Sequence, residues 1–206
     1  IFYSKLDKHH RPRTIYRHEI GTPVKEDILI FEEKSEAFTV GIGLSSDEKY
    51  FMITSSDHNT SEQYYFGFDE NNPSPKLIQK RKRGIIYSVN SWDEYFYKHT
   101  NEDAEDFKID ICNDLVEQKW EPFVNAKDEV LIGGLVFLNN WIIRSETSNA
   151  LGKIILRDPK TNKEEEIIFS DEKVIVPSIS LIQKDKNTDN VYLSYSSPKT
   201  PGRTFF

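Results

Sequence analysis

Cysteine is almost missing from this chain. Cys112 is the one cysteine among 206 residues, so no internal disulfide forms and no thiol cluster holds zinc. Stability must come from a packed core, and a reducing, cytoplasmic location is the expectation that follows. Long hydrophobic runs are missing too. No apolar stretch approaches the roughly 20 residues that cross a bilayer as a helix, so a membrane partner is not expected. Nothing at the start has the order of a secretory leader, although Ile1 is not a natural first residue. Basic residues are in deficit: 27 Lys and Arg face 34 Asp and Glu, a formal charge of −7. That balance argues against nucleic acid, because phosphate binding needs a positive field. It suits a basic partner or substrate. Helical periodicity is also absent. Apart from Asn113–Lys119, which reads as a helical turn or a long connection, no long segment repeats its apolar residues with a period of about 3.6.

What the chain does have is repetition. Hydrophobic residues make up 37% and aromatics 13%, enough for a packed core. The stretch Tyr50–Phe66, YFMITSSDHNTSEQYYF, reads as a strand, a polar turn and a returning strand. The same shape recurs from Ile1, Tyr95, Trp141 and Val191, at spacings of 49, 45, 46 and 50 residues. A period of about 40–50 residues marks the blades of a β-propeller. Each repeat is predicted to hold four short strands, rich in β-branched and aromatic residues and divided by Gly, Pro, Asn and Asp.

The predicted strands of the second repeat are Phe38–Leu44, Tyr50–Ser55, Glu62–Phe68 and Lys76–Lys80. The third repeat gives Ile85–Asn90, Tyr95–Thr100, Phe107–Cys112 and Trp120–Val124. The fourth gives Val130–Leu138, Trp141–Ser145, Lys153–Arg157 and Glu165–Phe169, and the last opens with Val174–Leu181 and Val191–Ser196. The expected fold class is all-β. It is a partial β-propeller of about four blades, each a four-stranded antiparallel sheet. One domain is expected over residues 1–206, with blades at 1–33 (incomplete), 38–80, 85–124, 130–169 and 174–206 (incomplete). Repeats of this kind need neighbours to bury their faces, so the chain reads as a piece of a longer one. Open blade edges would invite self-association.

Several clusters invite a chemical reading and are better explained as structure. Asp57 and His58 lie among Ser55, Ser56, Thr60 and Ser61, but adjacent residues on one turn do not converge as a triad. They read as a hydrogen-bonded turn. His9, His10 and His18 fall short of a zinc set in number and spacing. Their segment reads as a solvated hairpin tip closed by Pro12. The basic run Lys80-Arg81-Lys82-Arg83 reads as a solvated connection between blades, with ion pairing to an absent domain as the alternative. Two acidic turns, Glu102/Asp103/Glu105/Asp106 and Asp69/Glu70/Asn71, lack the Gly of a calcium loop. They read as solvated, or as a negative funnel for basic peptides. Asn59-Thr60-Ser61 is a glycosylation sequon by string alone. Tyr50, Tyr95 and Trp141 share one repeat position and are expected in the core between blades. Gly41 and Gly43 alternate in one strand and are expected to permit close packing.

Particular segments carry a resemblance. DILIFEEKSEAFT (Asp27–Thr39), SSDEKYFMITSSDHNTSE (Ser45–Glu62), TNEDAEDFKI (Thr100–Ile109) and LSYSSPKTPG (Leu193–Gly202) occur in order along the chain. Together they resemble the propeller of the oligopeptidase B (protease II) group, in the prolyl oligopeptidase family of serine peptidases. The resemblance implies a seven-bladed propeller, of which this chain is roughly the second half. It implies a partner α/β-hydrolase domain that carries a Ser-Asp-His triad and cleaves short peptides after Arg or Lys. The propeller would restrict access to it.

The nucleophile elbow of such enzymes, G-x-S-x-G, does not occur here. Its nearest approach, Gly41-Ile42-Gly43-Leu44-Ser45, has the wrong order, so a catalytic role for Ser45 is not expected. No catalytic, metal or cofactor-binding residue is assigned, and no cofactor is implied. Alternative readings are a stand-alone interaction scaffold and the remnant of a decayed peptidase gene.

Overall fold

The computed structural model of this chain describes residues 1–169, 176–181 and 187–205. The strands form five antiparallel meanders. The first sheet is β1 (Phe2–Leu6), β2 (Pro12–Arg17) and β3 (Ile28–Glu32). The second is β4 (Thr39–Leu44), β5 (Tyr50–Ser56), β6 (Ser61–Gly67) and β7 (Lys76–Gln79). The third is β8 (Tyr87–Trp92), β9 (Tyr95–Thr100), β10 (Lys108–Cys112) and β11 (Glu121–Val124). The fourth is β12 (Leu131–Phe137), β13 (Ile142–Ser148), β14 (Leu151–Arg157) and β15 (Glu164–Glu166). The fifth is β16 (Val176–Leu181), β17 (Val191–Ser196) and β18 (Arg203–Phe205). In every sheet the strands lie side by side in chain order. Residues 174 and 175 of the predicted strand Val174–Leu181, and Phe206, lie outside the described residues.

Alternation explains the strands. In β8, Tyr87, Val89 and Ser91 are buried while Ser88, Asn90 and Trp92 are not, the period of two that a pleated strand imposes. β6 departs from it, with five of its seven residues buried. Both of its faces are covered. Tyr64 and Phe66 join one apolar cluster with Ile15, Val40 and Ile53. Tyr65 faces another with Met52, Ile78, Tyr87, Val89 and Phe96. Each fully buried aliphatic side chain here contributes about 1.5–3 kcal/mol.

By compactness the chain forms two units. One comprises Ile1–Asp103 with Ile109–Phe123, the other Ala104–Lys108 with Val124–Phe206. The two clusters around β6 are the core of the first unit. Leu138, Ile143 and Ile154, joined by Val136, Leu156, Ile167, Phe169, Val191 and Leu193, form a core of the second.

The expected turn at Asn113–Lys119 is one turn. Gln118 N–H donates to the Asp114 carbonyl at 3.0 Å, the Asp114 carboxylate accepts Val116 N–H at 2.6 Å, and Leu115 anchors it in the core. Among the described residues the one helix is a 3-10 turn at Val24–Glu26. β13 and β14 run longer than predicted. They join through Asn149 and Ala150, at φ 49° and 60°, the left-handed pair of a two-residue hairpin. Asn-Ala is a weaker hairpin signal than Asn-Gly, so the residues alone predict a wider turn.

Three expectations are corrected by packing. A Cβ built on Gly41 or Gly43 would meet nothing within 4 Å, so neither glycine serves a close approach. Close approach occurs at Gly133, where a Cβ would lie 2.9 Å from the Ser145 carbonyl oxygen, and at Gly152, where it would lie 2.6 Å from Cδ of Pro177. Of the three aromatics at one repeat position, Tyr50 packs in the core, its ring 5.3 Å from that of Phe96. Tyr95 and Trp141 are instead 46% and 37% exposed. The hairpin tip between β1 and β2 is closed by Asp7 rather than Pro12. Asp7 accepts His9 N–H at 2.7 Å and Arg11 N–H at 3.1 Å, while Pro12 lies within β2, opposite Leu6.

Candidate functional site

The chemistry-bearing side chains gather where the sheets of the first unit meet. Glu33 follows β3 and is 3% exposed. Arg81 follows β7, and its guanidinium meets the Glu33 carboxylate through bonds of 3.1 and 3.2 Å. The Ser55 hydroxyl donates to the same carboxylate at 2.5 Å, and Ser35 N–H donates at 2.7 Å. Glu62 of β6 accepts Arg81 N–H at 2.9 Å and the Tyr64 hydroxyl at 2.7 Å. The ring of Phe38 lies 4.0 Å from the guanidinium carbon. This corrects the reading of Lys80–Arg83 as solvated throughout. Lys82 and Arg83 are exposed, but Arg81 turns inward onto two carboxylates.

Electrostatics follow from that geometry. Burial is the largest influence on Glu33 and acts to raise its carboxyl. The bonds from Arg81, Ser55 and Ser35 N–H outweigh burial and hold it below the usual carboxylate range. Burial, and then the bond to Glu62, push the Tyr64 phenol well above its ordinary value. Glu33 is therefore held as a carboxylate against the Arg81 guanidinium, a charged clasp between the two sheet exits.

A buried cation, Lys98 of β9, lies 3.9 Å from the Asp110 carboxylate and 4.8 Å from the Trp120 ring centre. At the same repeat position in the second unit stands Arg144 of β13, 2% exposed. It bonds Glu146 at 2.8 Å and grips Glu164 at 2.8 and 2.7 Å. Lys127 closes on Glu146 at 2.7 Å. Neither cation is singled out by sequence reasoning, although each directly follows an apolar run, Tyr95-Phe96-Tyr97 and Trp141-Ile142-Ile143, and that is the signal that would find it.

Tyr87 joins two sheets of the first unit. The β6–β7 ladder shifts register after Gln63, and the Tyr87 hydroxyl fills the gap. It accepts Gln63 N–H at 2.8 Å and Gln79 N–H at 3.2 Å and donates to the Gln79 carbonyl. Burial raises this phenol to about 12.

The remaining candidates serve turns. Ser45 donates to Asp47 at 2.7 Å and accepts Tyr50 N–H at 3.0 Å. Asp47 also accepts the Ser91 hydroxyl at 2.8 Å. Asp57 caps its own turn by accepting Asn59 and Thr60 N–H at 2.9 and 2.7 Å, and His58 is exposed. Of the three histidines, His9 and His10 are exposed, while His18 Nδ1 lies 2.7 Å from Asp27. Tyr3 donates to that carboxylate at 2.6 Å. Among the described residues no group of three or more His, Cys, Asp or Glu could hold a metal. The acidic turns are partly committed. Glu102 accepts from Gln79 at 3.0 Å, and Glu70 caps Gly67 N–H at 2.8 Å. In the sequon, Asn59 is exposed and Thr60 is buried. Cys112 is buried, and burial is the main influence raising its thiol to about 11.

Comparison with known proteins fits this architecture. The family described as prolyl oligopeptidase, N-terminal beta-propeller domain, matches residues 1–206. Protease 2 of Moraxella lacunata is 31% identical over 218 residues, covering 100% of this chain and 29% of that protein. Dipeptidyl aminopeptidase BI of Pseudoxanthomonas mexicana is 28% identical over 199 residues, covering 94% of this chain and 27% of that protein. Among solved structures, oligopeptidase B from Trypanosoma brucei, in a closed form with covalently bound antipain, superposes with a TM-score of 0.87. It is 23% identical and covers 98% of this chain and 30% of that one. Oligopeptidase B from Leishmania major superposes with a TM-score of 0.85 at 19% identity, over 99% of this chain and 30% of that one. The chain thus spans under a third of the length of the relatives it matches, and the fold they share is a β-propeller, here a partial one.

Proposed function

The chain belongs to the prolyl oligopeptidase N-terminal β-propeller family, and from that premise we propose that it is the non-catalytic, substrate-gating part of an oligopeptidase-B-like serine peptidase. The family match over residues 1–206 carries this reading, together with the 31% identity to Protease 2. In the longer protein, an α/β-hydrolase domain would supply the triad and cleave short peptides after Arg or Lys. The sheets described here would limit the size of what reaches it.

The gating role has a physical rationale. A filter works only if its sheets do not splay. Glu33, Arg81 and Glu62 tie the exits of two sheets together, and Tyr87 ties the second sheet to the third. The Arg/Lys preference is supported by the resemblance to oligopeptidase B, and the net charge of −7 suits basic substrates. A cytoplasmic location belongs to the same proposal.

The test has two parts. The 206-residue chain alone is incubated with a short Arg-containing chromogenic peptide, and no turnover is expected. Turnover that follows the purified protein would overturn the non-catalytic role. The full-length gene product carrying this chain is then assayed with basic peptides of increasing length. Short peptides should be cleaved and long ones spared, with the length limit relaxed by Arg81→Ala. Equal cleavage at all lengths in both proteins would remove the gating role.

A further inference from the structure

A small cavity of about 220 Å³ opens on the fourth sheet, lined by Trp141, Leu156, Asp158, Lys163 and Glu165. Register puts these residues on one face. Leu156 of β14 pairs with Glu165 of β15 and with Ile143 of β13. Trp141 precedes Ile143 by two residues, Asp158 follows Leu156 by two and Lys163 precedes Glu165 by two, so all share that face of the pleat. The Trp141 indole is 37% exposed. Both carboxylates are held ionised. Asp158 is lowered chiefly by the Thr161 hydroxyl and Lys160 N–H, and Glu165 by Lys163.

From this juxtaposition we propose that the Trp141–Asp158–Glu165 niche binds the guanidinium of an arginine side chain presented by a peptide. A guanidinium stacks on an indole face and donates from its edge to carboxylates, and an indole and two carboxylates line this niche. Its volume is about seven water volumes, room for the planar head and part of its stem. The niche already holds a cation of its own. The Lys163 ammonium lies 2.8 Å from Glu165, with both side chains largely exposed. Such an exposed pair is weak, so Lys163 acts as a tethered competitor that an incoming guanidinium displaces. The niche lies within the second unit and is independent of any peptidase activity.

The test uses the full 206-residue chain and N-acetyl-arginine amide, read by tryptophan fluorescence and calorimetry. Weak saturable binding is expected. The neutral isostere N-acetyl-citrulline amide should not bind, and N-acetyl-lysine amide should bind several-fold less tightly. Trp141→Ala should weaken arginine binding about tenfold. Lys163→Ala should strengthen it about threefold, a gain that a purely structural lysine would not produce. Three results would each overturn the proposal: no saturable binding, an unchanged affinity in Trp141→Ala, or no gain in Lys163→Ala. Because turnover is not measured, failure here leaves the gating reading to its own test.

Discussion

The Arg81 guanidinium and the Glu33 carboxylate face each other fork to fork, at 3.1 and 3.2 Å across 48 residues of sequence. Both are ionised, and Glu33 is almost wholly buried. Removing one partner of a buried pair leaves an uncompensated charge and costs about 3–5 kcal/mol. Arg81→Ala is therefore expected to destabilise the protein by about 3 kcal/mol, at the lower end because the arginine is partly exposed. Arg81→Lys keeps the charge without the fork and should lose less. Urea denaturation measures both, and an Arg81→Ala midpoint equal to the parent's would remove the clasp.

The same pair sets a dependence on pH. The folded protein holds the Glu33 carboxyl below the value of an unfolded glutamate, about 4.3. On the acid side the unfolded chain then binds the extra proton, so stability rises with pH. This contribution is complete above about pH 4.3 and is lost as pH falls through the folded value. Urea midpoints followed downward from neutrality should fall below about pH 4 in the parent. Glu33→Gln should show a shallower acid slope from a lower starting stability. Parallel acid slopes in the two proteins would assign acid sensitivity to other carboxylates.

Tyr87 is buried with its hydroxyl serving three backbone groups at the β6–β7 shift. Tyr87→Phe keeps the ring and strands those groups in a dry site. The expected loss is about 1–3 kcal/mol. Hydrogen exchange should locate it, with faster exchange at the Gln63 and Gln79 amides. Unchanged protection at both would contradict the plug.

Neighbouring glycines in β12 make a matched comparison. A Cβ on Gly133 would lie 2.2 Å from the Ser145 hydroxyl and 2.9 Å from its carbonyl oxygen, whereas one on Gly134 meets nothing within 4 Å. The hydroxyl can rotate away, but the carbonyl belongs to the ladder. Gly133→Ala should cost about 1–3 kcal/mol, and Gly134→Ala should be close to neutral. Thermal unfolding of the two variants side by side decides it, and equal melting temperatures would refute the close approach.

Much of this architecture was legible in the residues. The recurring strand–turn–strand shape marked Tyr50–Phe66 and Tyr95–Ile111, and the observed strands Tyr95–Thr100 and Val191–Ser196 coincide with the predicted ones. Period-two alternation and turn chemistry are local properties, written within a few residues of where they act. Asp57 as the cap of its own turn was readable for the same reason.

Arg81 was not readable in that way. Within Lys80-Arg81-Lys82-Arg83 nothing local distinguishes it from its exposed neighbours. Its partner Glu33 becomes adjacent only when the exits of two sheets meet. The same holds for Gly133 rather than Gly41, and for Trp141 on an open face while Tyr50 lies in the core. Sequence alone determined the strand–turn–strand repeat, the order of its strands and the family they belong to. Tertiary structure decided which charges are buried and which aromatics are covered. Burial depends on what lies across from a residue, and that is set by the stacking of one sheet on the next rather than by its neighbours along the chain.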